Sequence, residues 1–392
     1  MPRLRWIDLF RGLAVIGMIA THVAGAFLAN SWKEGGVWNS FNIGFGFVAP
    51  AFLLCSGLTL WGALQRRVSV PETEGKPGAQ PLLRRTALLL LLGYWLQLPV
   101  LSLRQLIWRH DPAELARLFD TNVLQVIAVA MGVIVLLALV VRPLVSVAWV
   151  AAALAVAIII GTPWVWASDS AAGLFLPLRS YFLAQPDATF SLFPHAAYLL
   201  TGFASAPLLL KPRRYQWVVP ALFAATFFAA EALLTETIGG VPPHDRYWHG
   251  SIQHTCFRLA ALFATISALK AITQLLEQQR ETGLATRAAS EVERRKGGVV
   301  EEIGKRSLGI YVLHLMLLYG SPVNMGMIGW LDGRFRNAWD PLACLLLALS
   351  VAALCYGALL FWEWLRAAYP TAARWAKRLW WWAFWALFLL MP

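Results

Sequence analysis

Apolar runs of about 18 to 25 residues recur along the whole of this chain, each long enough to carry a helix across roughly 30 Å of hydrocarbon. Inside a bilayer every backbone N–H and C=O must be satisfied without water, which leaves only helices and closed barrels. A barrel would show short segments of alternating polarity, whereas these runs are continuously apolar. The fold class expected is therefore all-α, a polytopic transmembrane helix bundle of about ten spanning helices, or eleven if the C-terminal segment also crosses. The spans fall at roughly 6–29, 43–64, 86–103, 122–141, 144–167, 190–210, 216–238, 252–275, 307–330 and 341–364. With 59% hydrophobic and only 14% charged residues among 392, little remains for a soluble domain, so residues 1–392 are read as one transmembrane domain.

The formal net charge of +12 would suggest nucleic acid in a soluble protein. Here the Lys and Arg residues sit in short loops between apolar runs, where they set topology, and no nucleic-acid partner is expected. Arg66, Arg67, Lys76, Arg84, Arg85, Arg142, Lys211, Arg213, Arg214 and the stretch Arg280 to Arg306 all fall on one side if the N-terminus is cytoplasmic. That bias places the N-terminus in the cytoplasm, and the setting expected is a bacterial inner membrane with lipids as its surroundings. Residues 277–306 carry charge of both signs and read as a cytoplasmic charged loop or helix. Residues 379–392, with Trp380, Trp381, Trp382 and Trp385 after Arg378, read as an interfacial helix or a short eleventh span.

Ionisable groups inside such runs are costly, so they face the bundle interior and have a partner or a task. The first run holds Arg5, Asp8, Arg11 and His22. Asp8 and Arg11 are three apart and share a face; Arg11 and His22 are eleven apart, which returns to nearly the same face about 16 Å further along. A structural ion pair with a satisfied histidine explains these residues as well as a catalytic face does. On the predicted outer side Asn39, Asn42, Asp187, His195, His249 and His254 gather, with Arg258 one turn beyond His254; the histidines suit general-base work, and each singly is equally read as a satisfied interfacial residue. In the ninth run Ser307, Tyr311 and His314 share a face just after Lys305 and Arg306. Cys55, Cys256, Cys344 and Cys355 lie in apolar runs as packing residues, and no metal-ligand spacing is present, so no metal is expected.

Taken together, several of these motifs resemble a known group. Arg5-x-x-Asp8-x-x-Arg11-Gly12 with His22 is similar to the opening of bacterial heparan-α-glucosaminide N-acetyltransferase-like proteins and of the acyltransferase-three sugar O-acyltransferases. In the latter an Arg, ten residues and a His form the signature, which Arg11 to His22 fits. Phe47-x-x-Pro50-x-Phe52 running to Ser56-Gly57, Phe193-Pro194 running to Gly202, and Ile303-Gly304-Lys305-x-Ser307-Leu308-x-x-Tyr311-x-x-His314 match in the same order. In the eukaryotic heparan enzyme the catalytic histidine precedes a Trp-Asn pair in the first outer loop. Here Gly35 stands three residues before Trp38-Asn39, so the carry-over goes to His22.

The resemblance implies an acyl-CoA donor, most simply acetyl-CoA, entering from the cytoplasm. Arg5, Arg66, Arg67, Arg84, Arg85, Lys305, Arg306, Tyr311 and His314 are the candidate donor-binding residues. It implies His22 as general base on a sugar or glycolipid hydroxyl or amine, with Arg11 and Asp8 in the catalytic set and Asn39, Asn42, His195, His254 and Arg258 holding the acceptor. A proton-coupled transporter or flippase, and a non-catalytic membrane subunit, are the alternative functions; besides lipid, acyl-CoA and a glycan acceptor, a second copy in a homodimer is the partner considered.

Overall fold

The computed structural model describes residues 4–68, 79–108, 116–183, 189–211, 215–240, 250–281, 298–331 and 335–390. Asp187, His249, Lys76, Arg213, Arg214 and the middle of the charged 277–306 stretch lie outside the described residues. The helices are α1 (Arg5–Phe27), α2 (Gly36–Phe45), α3 (Val48–Val68), α4 (Gln80–Gln97), α5 (Leu103–Trp108), α6 (Val123–Val140), α7 (Leu144–Trp166), α8 (Asp169–Ala172), α9 (Leu176–Phe182), α10 (Leu192–Leu209), α11 (Val218–Ile238), α12 (Ile252–Glu281), α13 (Val299–Lys305), α14 (Ser307–Leu318), α15 (Gly326–Trp330), α16 (Pro341–Ala368) and α17 (Pro370–Leu390). The protein is all-α: no strand occurs among the described residues beyond two isolated bridges.

Eight of these helices are long and apolar enough to cross a membrane. The two remaining expected spans correspond to α4, which carries Arg84 and Arg85 near its start, and α14, which stops at Leu318 well short of the predicted 330. The break has a local cause. Gly320 and Gly326 both take positive φ, which glycine tolerates and a helix does not, and Asn324 bonds back to the Met316 carbonyl (2.8 Å), ending α14 in a tight turn. Toward the C-terminus α17 starts at Pro370, earlier than the Trp-rich segment read from sequence.

The chain divides into two compact units. The first comprises Met1–Arg11, Phe47–Gly93 and Thr121–Gly304. Its centre is α10, packed on α3, α6 and α7, while α11 lies against α12. Small residues let α3 and α10 cross closely: a side chain at Gly57 would collide with the Leu199 carbonyl, and one at Gly202 with the Leu54 carbonyl. Asn122 starts α6 with a reciprocal cap, accepting from the Leu124 (2.9 Å) and Gln125 (3.3 Å) N–H groups while Gln125 accepts from the Asn122 N–H (2.7 Å). Its side chain also donates to the Gly93 carbonyl at 3.0 Å, joining α6 to α4.

The second unit comprises Gly12–Gly46, Tyr94–Asp120 and Lys305–Pro392. Here α14 packs on α16, and α17 on α16 and α5. The last carbonyls of α1 lack intrahelical partners and are taken up by groups far along the chain. Asn337 N–H donates to Ala26, Ala338 and Trp339 N–H both to Phe27. Lys33 Nζ adds a bond to the Gly25 carbonyl (2.9 Å) and another to Asn337 Oδ1 (2.7 Å). Removal of that Nζ from water is the main reason its pKa falls below the usual lysine value.

Candidate active site

In the second unit, α1 and α14 bring His22, Tyr311, His314 and Tyr319 together. The His22 and His314 ring centroids are 5.2 Å apart, and Tyr319 meets the His22 ring edge-on at 5.4 Å. Tyr311, one turn before His314, is edge-on to it at 5.6 Å. The hydroxyl of Tyr319 lies 3.1 Å from His22 Nδ1 and 3.5 Å from the His22 carbonyl oxygen. One arrangement satisfies both contacts: Nδ1–H donates to the hydroxyl oxygen, and the hydroxyl donates to the carbonyl, leaving the lone pair of His22 on Nε2.

The tautomer of His314 is set more firmly. Its Nδ1 is 3.0 Å from the Ile310 carbonyl, which can only accept, so Nδ1 carries the proton and Nε2 the lone pair. His314 is 0% exposed, and among the described residues its Nε2 has no hydrogen-bond partner. A basic nitrogen held in that condition costs stability unless something else uses it. Both imidazoles thus present Nε2 as the acceptor nitrogen, the one on His314 buried.

In the first unit, Asp8 is 4% exposed, and Arg11 donates to Thr59 Oγ1 of α3 at 3.2 Å. Arg5 gives both Nε (3.1 Å) and Nη2 (2.7 Å) to one oxygen of Glu301 on α13. Arg66 is exposed at the end of α3, with Arg67 half-buried beside it, and Arg84 and Arg85 are exposed at the start of α4. In the second unit the Arg306 guanidinium forms a two-pronged pair with Glu363 (2.9 and 2.7 Å) above the Tyr356 ring, next to half-buried Lys305. Arg5 and Arg306 thus already hold carboxylate partners.

A second polar cluster forms between α10 and α12 of the first unit. Tyr198, fully buried, interacts through its hydroxyl with Arg258 and Thr255, and His195 sits 6.4 Å from the Tyr198 ring. Arg258 is 6% exposed and His254 is buried one turn before it. His195 Nδ1 donates to the Ser191 carbonyl at 3.0 Å. Asn39 and Asn42, by contrast, are exposed on α2. Among the described residues no three His, Cys, Asp or Glu side chains come together as a metal would need.

Four residues escape a reading of the sequence. Tyr319 lies beyond the apolar part of its run, and only its position before Gly320-Ser321-Pro322 marks it as the end of a helix. Tyr198 and Thr255 look like ordinary core residues. Lys270, 2% exposed, donates to the Leu209 carbonyl at the end of α10 (2.6 Å) and lies 4.8 Å over the Trp6 ring; a lone lysine inside an apolar run was the available signal.

The sequence profile of the acyltransferase-3 family, described as an acyltransferase domain, matches residues 4–321. No curated protein matches the chain. The protein therefore belongs to the acyltransferase-3 family and is a membrane acyltransferase.

Proposed function

We propose that this member of the acyltransferase-3 family takes an acyl group, most simply acetyl, from acyl-CoA on the cytoplasmic side and transfers it to a hydroxyl or amine of a periplasmic or lipid-linked sugar. The observation that carries the reading is the His22–Tyr319–His314 cluster, in which Tyr319 occupies His22 Nδ1 and leaves Nε2 as a base. His22 Nε2 removes the proton of the acceptor hydroxyl or amine as its oxygen or nitrogen attacks the thioester carbonyl. The new C–O or C–N bond forms, the C–S bond breaks, and the proton on the imidazolium passes to the CoA thiolate. His314, with a lone pair on its buried Nε2, supports the charged form of His22 while it lasts.

Donor affinity rests on the exposed cations Arg66, Arg84 and Arg85, with Arg67 beside Arg66 on α3, because CoA phosphates are held by charge-assisted hydrogen bonds. Arg5 ties α1 to α13 through Glu301, and Arg306 ties the start of α14 to α16 through Glu363. Asn39 and Asn42, exposed on α2 of the unit that holds His22, are assigned to the acceptor. Arg258, His254, His195 and Tyr198 form a polar cluster within the first unit, a separate candidate for recognising polar groups of a substrate.

The test is saturable binding of acetyl-CoA to the purified protein in nanodiscs, followed by transfer of labelled acetyl to a glycolipid extract. Binding without His22 and transfer only with it is the expected result. A protein that binds no acyl-CoA at all overturns the proposal.

A further inference from the structure

The C-terminal helix α17 presents three different sides. Ala373 is buried, the Trp380 ring meets Trp95 at 6.4 Å, and the helix packs on α16 and α5 of its own unit. Away from that side Trp375, Leu379, Trp382, Ala386 and Leu389 follow one another at four- and three-residue steps, forming a single stripe. The stripe is open: Trp375 is 57% and Trp382 71% exposed. Arg374, Lys377 and Arg378 lie in the first three turns, and no charged residue follows as far as Leu390. Arg366 adds a cation in the last turn of α16, just before the chain turns into α17.

Lengths decide how such a helix meets a bilayer. With the cations at headgroup level, the twelve residues from Leu379 to Leu390 reach about 18 Å, little more than one leaflet and well short of roughly 30 Å of hydrocarbon. A crossing would bury Arg374, Lys377 and Arg378 in hydrocarbon. Tryptophans are at home at the interface, which suits Trp375, Trp380, Trp382 and Trp385 beside the cations.

We propose that α17 lies obliquely in one leaflet, on the face where α16 ends, and that Arg374, Lys377 and Arg378 bind the headgroups of anionic phospholipids there. The apolar stripe enters the acyl chains, and the basic edge selects the lipid by charge. This assignment is independent of the acyl-transfer reading.

The test uses the full-length protein in nanodiscs of phosphatidylcholine with and without phosphatidylglycerol. Lipid co-purification read by mass spectrometry gives the enrichment of phosphatidylglycerol over phosphatidylcholine. The triple substitution Arg374→Gln, Lys377→Gln, Arg378→Gln is expected to lower it by on the order of tenfold to a hundredfold. An unchanged enrichment overturns the headgroup assignment. Spin labels on Trp375→Cys and Leu389→Cys report depth, since the four native cysteines are buried. A shallow label at 375 and a deeper one at 389, both in one leaflet, is the expected pattern. A label at 389 reached by a water-soluble relaxant from the opposite face means the helix crosses, and labels shielded from both oxygen and water-soluble relaxants mean a protein contact; either outcome overturns the proposal.

Discussion

The Tyr319 hydroxyl stands 3.1 Å from His22 Nδ1, although the two residues are 297 positions apart in the chain. That bond holds the imidazole at a fixed angle and assigns its lone pair to the other nitrogen. Tyr319→Phe keeps the ring and removes the bond. One net hydrogen bond is worth about 1 kcal/mol, so turnover should fall roughly fivefold to tenfold while acetyl-CoA affinity stays unchanged. Steady-state rates set beside a binding isotherm check this, and wild-type turnover in the phenylalanine variant would remove Tyr319 from the site.

His22→Ala should cost far more. Loss of general-base assistance lowers rates by about two to four orders of magnitude, and the loss should sit in turnover, with donor binding intact. A folded His22→Ala protein that still transfers acyl groups at near wild-type rate would contradict the mechanism.

The cations at the ends of α3 and α4 should behave in the opposite way. Replacing Arg66, Arg84 and Arg85 together by Gln removes charge from three exposed residues while keeping side chains of similar reach, so the fold should be retained. Acetyl-CoA affinity should drop by about tenfold or more and lose much of its salt dependence, with turnover at saturation little changed. Isothermal titration at two ionic strengths reads both effects.

The glycine crossing between α3 and α10 is a structural prediction. Gly57→Ala and Gly202→Ala each force a methyl group against the facing helix's backbone, which cannot yield as a flexible side chain would. Each should destabilise the protein by about 1–3 kcal/mol or more and reduce its yield. Gly44→Ala, where nothing lies within 4 Å, is the control and should be neutral. Thermal stability of the detergent-purified variants decides between them.

Arg5 and Glu301 lend themselves to a double-mutant cycle. Glu301 is nearly buried and Arg5 only partly, so the pair is worth about 1–2 kcal/mol after allowance for solvent. Arg5→Ala and Glu301→Ala should therefore combine to less than the sum of their separate effects. Full additivity would show that the pair contributes nothing.

The membrane fold is legible because lipid imposes one rule on every run, and hydropathy measures that rule directly. The predicted boundary 190–210 lies within two residues of α10. The predicted end of the ninth span fails because hydropathy is blind to the paired positive-φ glycines that stop α14 at Leu318. The glycines that end the motifs on α3 and α10 stand out as part of a family pattern, yet their physical task, the reciprocal crossing of Gly57 and Gly202, needs both backbones in view. At the site, His22 and His314 stand out because ionisable groups are rare in apolar runs. Tyr319 does not, since hydropathy carries the ninth run on to 330 and hides that its helix ends just before this tyrosine.

The clasp that finishes α1 sets an order on biosynthesis. Lys33 reaches Asn337, 304 positions later, and the Ala26 and Phe27 carbonyls are met by the N–H groups of residues 337–339, beyond the end of the family match at 321. The helix bearing His22 is made among the first, yet its lower carbonyls stay without their final partners until most of the polypeptide has left the ribosome. A nascent chain released before residue 337 would carry the histidine and the whole of the family match but would lack the latch that holds the end of the histidine's helix.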